Sequence, residues 1–218
     1  MKLKKEFKIN HLFLENNVND LIKNGLEIIS DNFHIKNQKD KKLKELLLES
    51  FLLRSCAYWE NFLEKEIIFL VQINSDSFKK YYDLQQNVSI NNNIIRAILI
   101  GDRYRDWHDI QSLKNYFQKI IIQSINPFED ISHERLEILQ FTYTLRNYLS
   151  HFSEYSKKKL FSIYNKKYNY KRFIEPGSFL LNENGKHFEA LLLNFVLISA
   201  SIRGKLGVKN GKGNKPTK

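Results

Sequence analysis

A chain of 218 residues, 42% hydrophobic and 13% aromatic, is long enough to bury a core and too apolar for a disordered tail protein. Its single cysteine excludes a disulfide framework and a cysteine zinc cluster, and its eight glycines and three prolines exclude collagen-like and turn-rich classes. The net charge of +11 points to a polyanionic partner, nucleic acid before membrane.

No secretory leader is read in the opening MKLKKEFK, and no apolar run approaches the roughly 18 residues a membrane span needs. A cytoplasmic, soluble protein with no membrane partner is expected. Helical periodicity dominates and strand signals are poor. The first helix is expected from about His11 to Phe33, with Leu14, Val18, Leu21, Ile22, Ile28 and Ile29 near one face. A polar connection over Lys36 to Lys42 follows, and Asp40 is placed to cap a long helix from Lys41 to Ile73. On that helix Leu48, Leu52, Cys56, Leu63 and Leu70 fall near Trp59, a core stripe. Glu60 lies at the edge of the apolar arc and Glu66 lies deeper in it. Each needs a partner there.

Phe78 to Gln85 reads as a short helix or irregular, and Asn92 to Ile100 and Asp109 to Ile122 as helices. Ser132 caps the next, about His133 to Phe152. Pro176-Gly177 marks a turn, and Asn184 to Leu206 is the last helix. The expected class is all-α, an up-and-down helical bundle in a single domain over 1–206. The basic tail 207–218, with few apolar residues and no acid, is expected to be disordered.

The segment LRNYLSH, Leu145 to His151, carries the most chemistry. With Leu145 on the core face, Ile138, Phe141, Leu149 and Phe152 join it, while Arg146, Asn147, Ser150 and His151 face away. Asn147 and His151 stack as an i,i+4 pair. Leu136 and Leu139 lie on the same outward face, which implies a second buried contact, with another helix of the chain or with a partner subunit. Beyond it, Tyr155 to Ile174 holds Lys157, Lys158, Lys159, Lys166, Lys167, Lys171 and Arg172 with no acid, interleaved with Tyr155, Tyr164, Tyr168 and Tyr170. Cations for phosphates beside aromatic faces for unpaired bases form the composition of a single-strand RNA site.

The stretch LRNYLSH resembles the Arg-x4-His motif of the HEPN superfamily, with an Asn directly after the Arg. The upstream LLRSCAYWENFLEKEI resembles the second-helix signature of HEPN branches such as the RiboL-PSP type. The two lie in the expected order, and the resemblance covers about Lys41 to Leu160. It implies a helical bundle, usually dimeric, and in many members a metal-independent endoribonuclease acting as a toxin or anti-phage effector. The motif carries over as Arg146, Asn147 and His151, and the second-helix acid as Glu60. One sub-pattern is missing: where toxins paired with nucleotidyltransferase antitoxins often carry a Tyr two residues after the His, this chain has Ser153.

The residue types suit that chemistry. RNA supplies the 2′-hydroxyl as nucleophile, and a histidine moves a proton near neutral pH. A guanidinium grips phosphate oxygens through paired hydrogen bonds. Asn147 would orient the histidine or phosphate, and Glu60 would hold Arg146. Two motifs across a two-fold axis would supply one acid and one base. The expected partners are RNA, single-stranded or a tRNA loop, a second copy of the chain, and a cognate antitoxin or defence protein. The alternative is a catalytically silent module of the same fold that binds RNA or a protein. No cofactor and no metal site are expected. His133-Glu134 lacks a second ligand, since position 137 is Glu, and Asp102, Asp106, His108 and Asp109 read as a capping and charge-paired helix start. His11, His34 and His187 stand alone, and Cys56 reads as an inert buried thiol.

Overall fold

The computed structural model describes residues 2–30, 38–101 and 109–208. Among them the chain is all-helical, with no strand: α1 (Lys2–Ile29), α2 (Gln38–Ile73), α3 (Asp76–Tyr81), α4 (Asn92–Gly101), α5 (Ile110–Ile120), α6 (His133–His151), α7 (Glu154–Tyr168), α8 (Pro176–Leu181) and α9 (Lys186–Val208). Gly207 and Val208, expected in the disordered tail, instead end α9; the rest of the tail, from 209, lies outside the described residues, as do His34, Asp102, Asp106 and His108. Among the described residues no helix is long and apolar enough to cross a membrane.

The centre is α2, packed against α1, α6, α8 and α9. Its predicted stripe is buried: Leu48, Leu52, Trp59, Leu63 and Leu70 are wholly inaccessible and Cys56 nearly so. Phe62, Ile67, Ile68 and Val71 are buried as well, so more than one face is covered, as a central helix requires. Trp59 packs between Phe62, with ring centroids 5.3 Å apart, and Phe195 of α9, at 5.4 Å.

Several element boundaries differ from the sequence reading. Helix α1 begins at Lys2 rather than His11, because residues 2–10 are good helix formers with no breaker among them. Helix α2 begins at Gln38, which puts Asp40 inside the first turn rather than ahead of it, where its charge complements the helix dipole. Pro176-Gly177 opens α8 instead of making a turn, since a proline's missing N–H costs nothing at a helix start. Gly177 lies so close to α2 that a Cβ there would meet Glu45 Cβ at 2.5 Å. The α8 N-terminus docks on two acids of α2: Gly177 N–H donates to Glu49 Oε1 at 2.7 Å, and Ser178 Oγ donates to Glu45 Oε1 at 2.5 Å.

The caps at Asp109 and Ser132 form as read. Asp109 accepts from the Ser112 N–H at 3.0 Å, and Ser132 Oγ accepts from the Arg135 N–H at 3.4 Å. The second contact inferred from Leu136 and Leu139 is met within the chain. Leu139 is fully buried and Leu136 half-buried, α9 packs on α6, and Asn194 donates to the Arg135 carbonyl at 3.0 Å.

Candidate functional site

Helix α6 puts Phe141, Leu145 and Leu149 in the core, as its periodicity requires. Arg146 and Asn147 are consequently half-buried, and Ser150 and His151 are exposed in the last turn. Arg146 Nη1 donates to Asn147 Oδ1 at 3.3 Å, so the guanidinium is held by its neighbour. Its charge also reaches inward. Burial pushes the Cys56 thiol far above its ordinary range, with Glu60 adding to the rise and Arg146 opposing it. The same two residues act on the buried Tyr143 hydroxyl, which burial also pushes up. The charges of Glu60 on α2 and Arg146 on α6 thus both act on the buried Cys56 and Tyr143. Cys56 is an inert buried thiol.

Phe152 leaves the core face on which the periodicity places it. Its backbone is left-handed, with φ 46°, its N–H donates to the Tyr148 carbonyl at 2.8 Å, and its side chain is 67% exposed. That conformation turns the chain at once into α7, whose cap is Ser153, accepting from the Ser156 N–H at 3.1 Å. Tyr155 follows, 78% exposed. His151, Phe152 and Tyr155 thus stand together at an exposed corner. A bulky residue in the left-handed region costs about 1–2 kcal/mol, and glycine there gives back part of the gain through its greater freedom when unfolded. Phe152→Gly is therefore expected to raise the melting temperature by about 1–4 °C. A clear fall in a thermal melt would show that the ring's packing on Tyr148, 5.5 Å between centroids, outweighs the strain.

The basic segment divides in two. Lys158, Lys159, Lys166, Lys167, Lys171 and Arg172 are exposed, while Lys157 is half-buried with its ammonium 5.1 Å from the Phe173 ring centroid. Lys171 is turned to Asn169, donating at 2.7 Å. Lys159 adds to the forces that hold the Asp109 carboxyl low, the largest being its hydrogen bond from Ser112. Of the four interleaved tyrosines, only Tyr155 is open enough to stack on a base. Tyr164 is fully buried against Phe179, 4.9 Å between centroids, and burial pushes its hydroxyl far up. Tyr168 is half-buried beside Phe179 and His187, its hydroxyl pushed up to about 12 chiefly by burial. Tyr170 is half-buried and accepts from Asn182 Nδ2 at 3.4 Å.

Two histidines read as solitary are not. His187 stacks on Phe179 at 4.3 Å, lies 3.8 Å from Glu183, and is pulled below its ordinary pKa chiefly by burial. His11 is fully buried. Its Nδ1 is 2.7 Å from Ser199 Oγ, and its Nε2 is 3.3 Å from Glu66 Oε1. The helical wheel marks Glu66 as an acid in an apolar arc, and His11 shares the α1 face of Leu14 and Val18. The two come together because α1 extends back past His11 along α2. Among the described residues no group of three or more His, Cys, Asp or Glu is placed to hold a metal ion. No protein-family model, curated protein or solved structure matches this chain.

Proposed function

We propose that the protein is a metal-independent endoribonuclease of the HEPN type, acting as a homodimer in a toxin or anti-phage defence setting. One observation carries the reading: His151 is exposed at the end of α6, one turn beyond the Arg146–Asn147 pair and at the head of the lysine-rich α7. A solvent-reachable imidazole about one turn along the helix from a half-buried guanidinium, followed by a row of lysines, suits phosphodiester chemistry.

In this reading the lysines and Arg172 gather the RNA backbone, and Tyr155 stacks a base. Arg146, steadied by Asn147, binds a non-bridging phosphate oxygen. An imidazole takes the 2′-hydroxyl proton, the 2′-oxygen attacks phosphorus, and the 5′-oxygen leaves with a proton from an imidazolium. The products are a 2′,3′-cyclic phosphate and a 5′-hydroxyl. One chain brings one such histidine, so base and acid come from two copies. Exposed Phe152 and Tyr155 offer apolar surface for that meeting beside the motif. Glu60, in this reading, holds Arg146; the charges of both act on the buried Cys56.

The binding half is tested by salt. Changing Lys157, Lys158, Lys159, Lys166 and Lys167 to Gln is expected to weaken binding to single-stranded RNA. The log–log slope against salt should become shallower by about 0.7 for each phosphate that is no longer neutralised. An unchanged slope in a fluorescence titration would leave these lysines as a solvated face.

A further inference from the structure

The long central helix keeps one face in solvent. Along α2, Leu43, Leu46, Ser50, Leu53 and Ala57 recur at alternating steps of three and four residues, the spacing of a seam between two helices. Leu43 and Leu46 are each 47% exposed, Ser50 and Ala57 are exposed, and Leu53 is half-buried. Ser50 brings no unmet donor to such a seam, because its hydroxyl donates to the Leu46 carbonyl at 2.8 Å. Exposed leucines in a row at this spacing form a docking face.

Charge selects the partner. The same stripe begins with Lys39 and Lys42, both exposed, and ends with Glu60, half-buried, and Glu64, partly exposed. It is basic at one end, apolar in the middle and acidic at the other, over about 38 Å at 1.5 Å per residue. A nucleic acid or an anionic membrane would be repelled by the acidic end. A parallel copy of the helix would set lysine on lysine and glutamate on glutamate. An antiparallel copy sets the basic end of each on the acidic end of the other. Antiparallel helices meet in layers, and one register satisfies them all, with its two-fold axis between Phe51 and Leu52. Lys39 then meets the partner's Glu64, and Lys42 reaches the partner's Glu60. Leu46 meets the partner's Ala57 and Leu53 the partner's Ser50, so each central leucine packs on a small residue. A face that complements itself in this way makes a closed pair.

We propose that α2 pairs antiparallel with α2 of a second copy along this face, and that this seam joins the homodimer. The proposal rests on the reading above, in which two copies combine, and names the surface between them. The middle of the seam adjoins the His151 corner. Glu49 accepts from the Gly177 N–H, Glu175 just ahead of it accepts from the Tyr148 hydroxyl at 3.2 Å, and the Tyr148 ring packs on Phe152. A two-fold axis at that level draws the two corners together, as one base and one acid require.

Sedimentation of the full chain is expected to show a dimer at micromolar concentration. Leu46→Glu should leave a monomer with the helical content of the wild type. Lys39→Glu should weaken the dimer several-fold, and adding Glu64→Lys should restore it. The direction of pairing is read with thiols. Cys56 is buried, so only introduced cysteines react. A mixture of Leu46→Cys and Ala57→Cys chains should be joined by a short bis-maleimide, and neither chain should be joined to its own kind. Like positions lie about 16 Å apart along an antiparallel pair. If Leu46→Glu unfolds the protein, the cross-linking pattern decides alone. A monomeric wild type would overturn the proposal. So would a folded dimer that survives Leu46→Glu, or Leu46→Cys chains joined to each other, the mark of a parallel pair. The two readings fail separately. A dimer that passes these tests yet cleaves no RNA would sink the nuclease and leave the seam. An active dimer indifferent to Leu46→Glu would sink the seam and leave the nuclease.

Discussion

His151→Ala is expected to lower RNA cleavage by at least about 10³-fold while leaving a folded protein. The size follows from what an imidazole does: positioned proton transfer contributes about 10²–10⁴-fold, and a single substitution alters both copies in a dimer. The retained fold follows from exposure. His151 is in the last turn of α6 with its side chain in solvent, and substitutions at such positions usually change stability by no more than about 0.5 kcal/mol. The measurement pairs initial cleavage rates with a urea titration of the same preparations. Arg146→Ala is expected to be as inactive, but less stable than His151→Ala, because the guanidinium is half-buried and its charge is felt by Cys56 and Tyr143. A His151→Ala protein that cleaves at the wild-type rate would end the assignment of this corner as catalytic.

The largest effect on stability is expected from Trp59→Ala. The indole is wholly buried at the crossing of α2 and α9, between Phe62 and Phe195. Removing a buried aromatic to alanine costs about 3–5 kcal/mol in transfer energy and residual cavity. Whole domains are stable by only about 5–15 kcal/mol, so a large share of the margin goes. For a chain of this length the melting temperature should fall by about 6–20 °C. Chemical denaturation checks it, and a loss under about 1.5 kcal/mol would show that the α2–α9 crossing is not the centre of the core.

What can be read from the residues depends on where one periodicity dominates. Helix α2 is legible because its stripe from Leu48 to Leu70 repeats around Trp59, and each of those residues is buried. Asp109 and Ser132 are legible as caps because a short acceptor precedes each apolar run. The start of α1 is not, because a lysine-rich stretch shows no stripe even where it is helical. Phe152 is misplaced because a wheel continues a helix that the left-handed residue ends. Tyr164 looks like a base-stacking residue because composition does not say which side of a basic helix meets the core, and that is settled by Phe179 of α8. Leu139 suggests a second buried face, and only the path of α9 shows that this chain supplies it.

The most direct test is the chemistry of the products. Purified protein is incubated with total RNA in EDTA and the new ends are mapped. The expected result is cleavage without a divalent ion, leaving 2′,3′-cyclic phosphate and 5′-hydroxyl termini, absent in His151→Ala. Cleavage that requires a divalent ion, or that leaves 5′-phosphate ends, would contradict it.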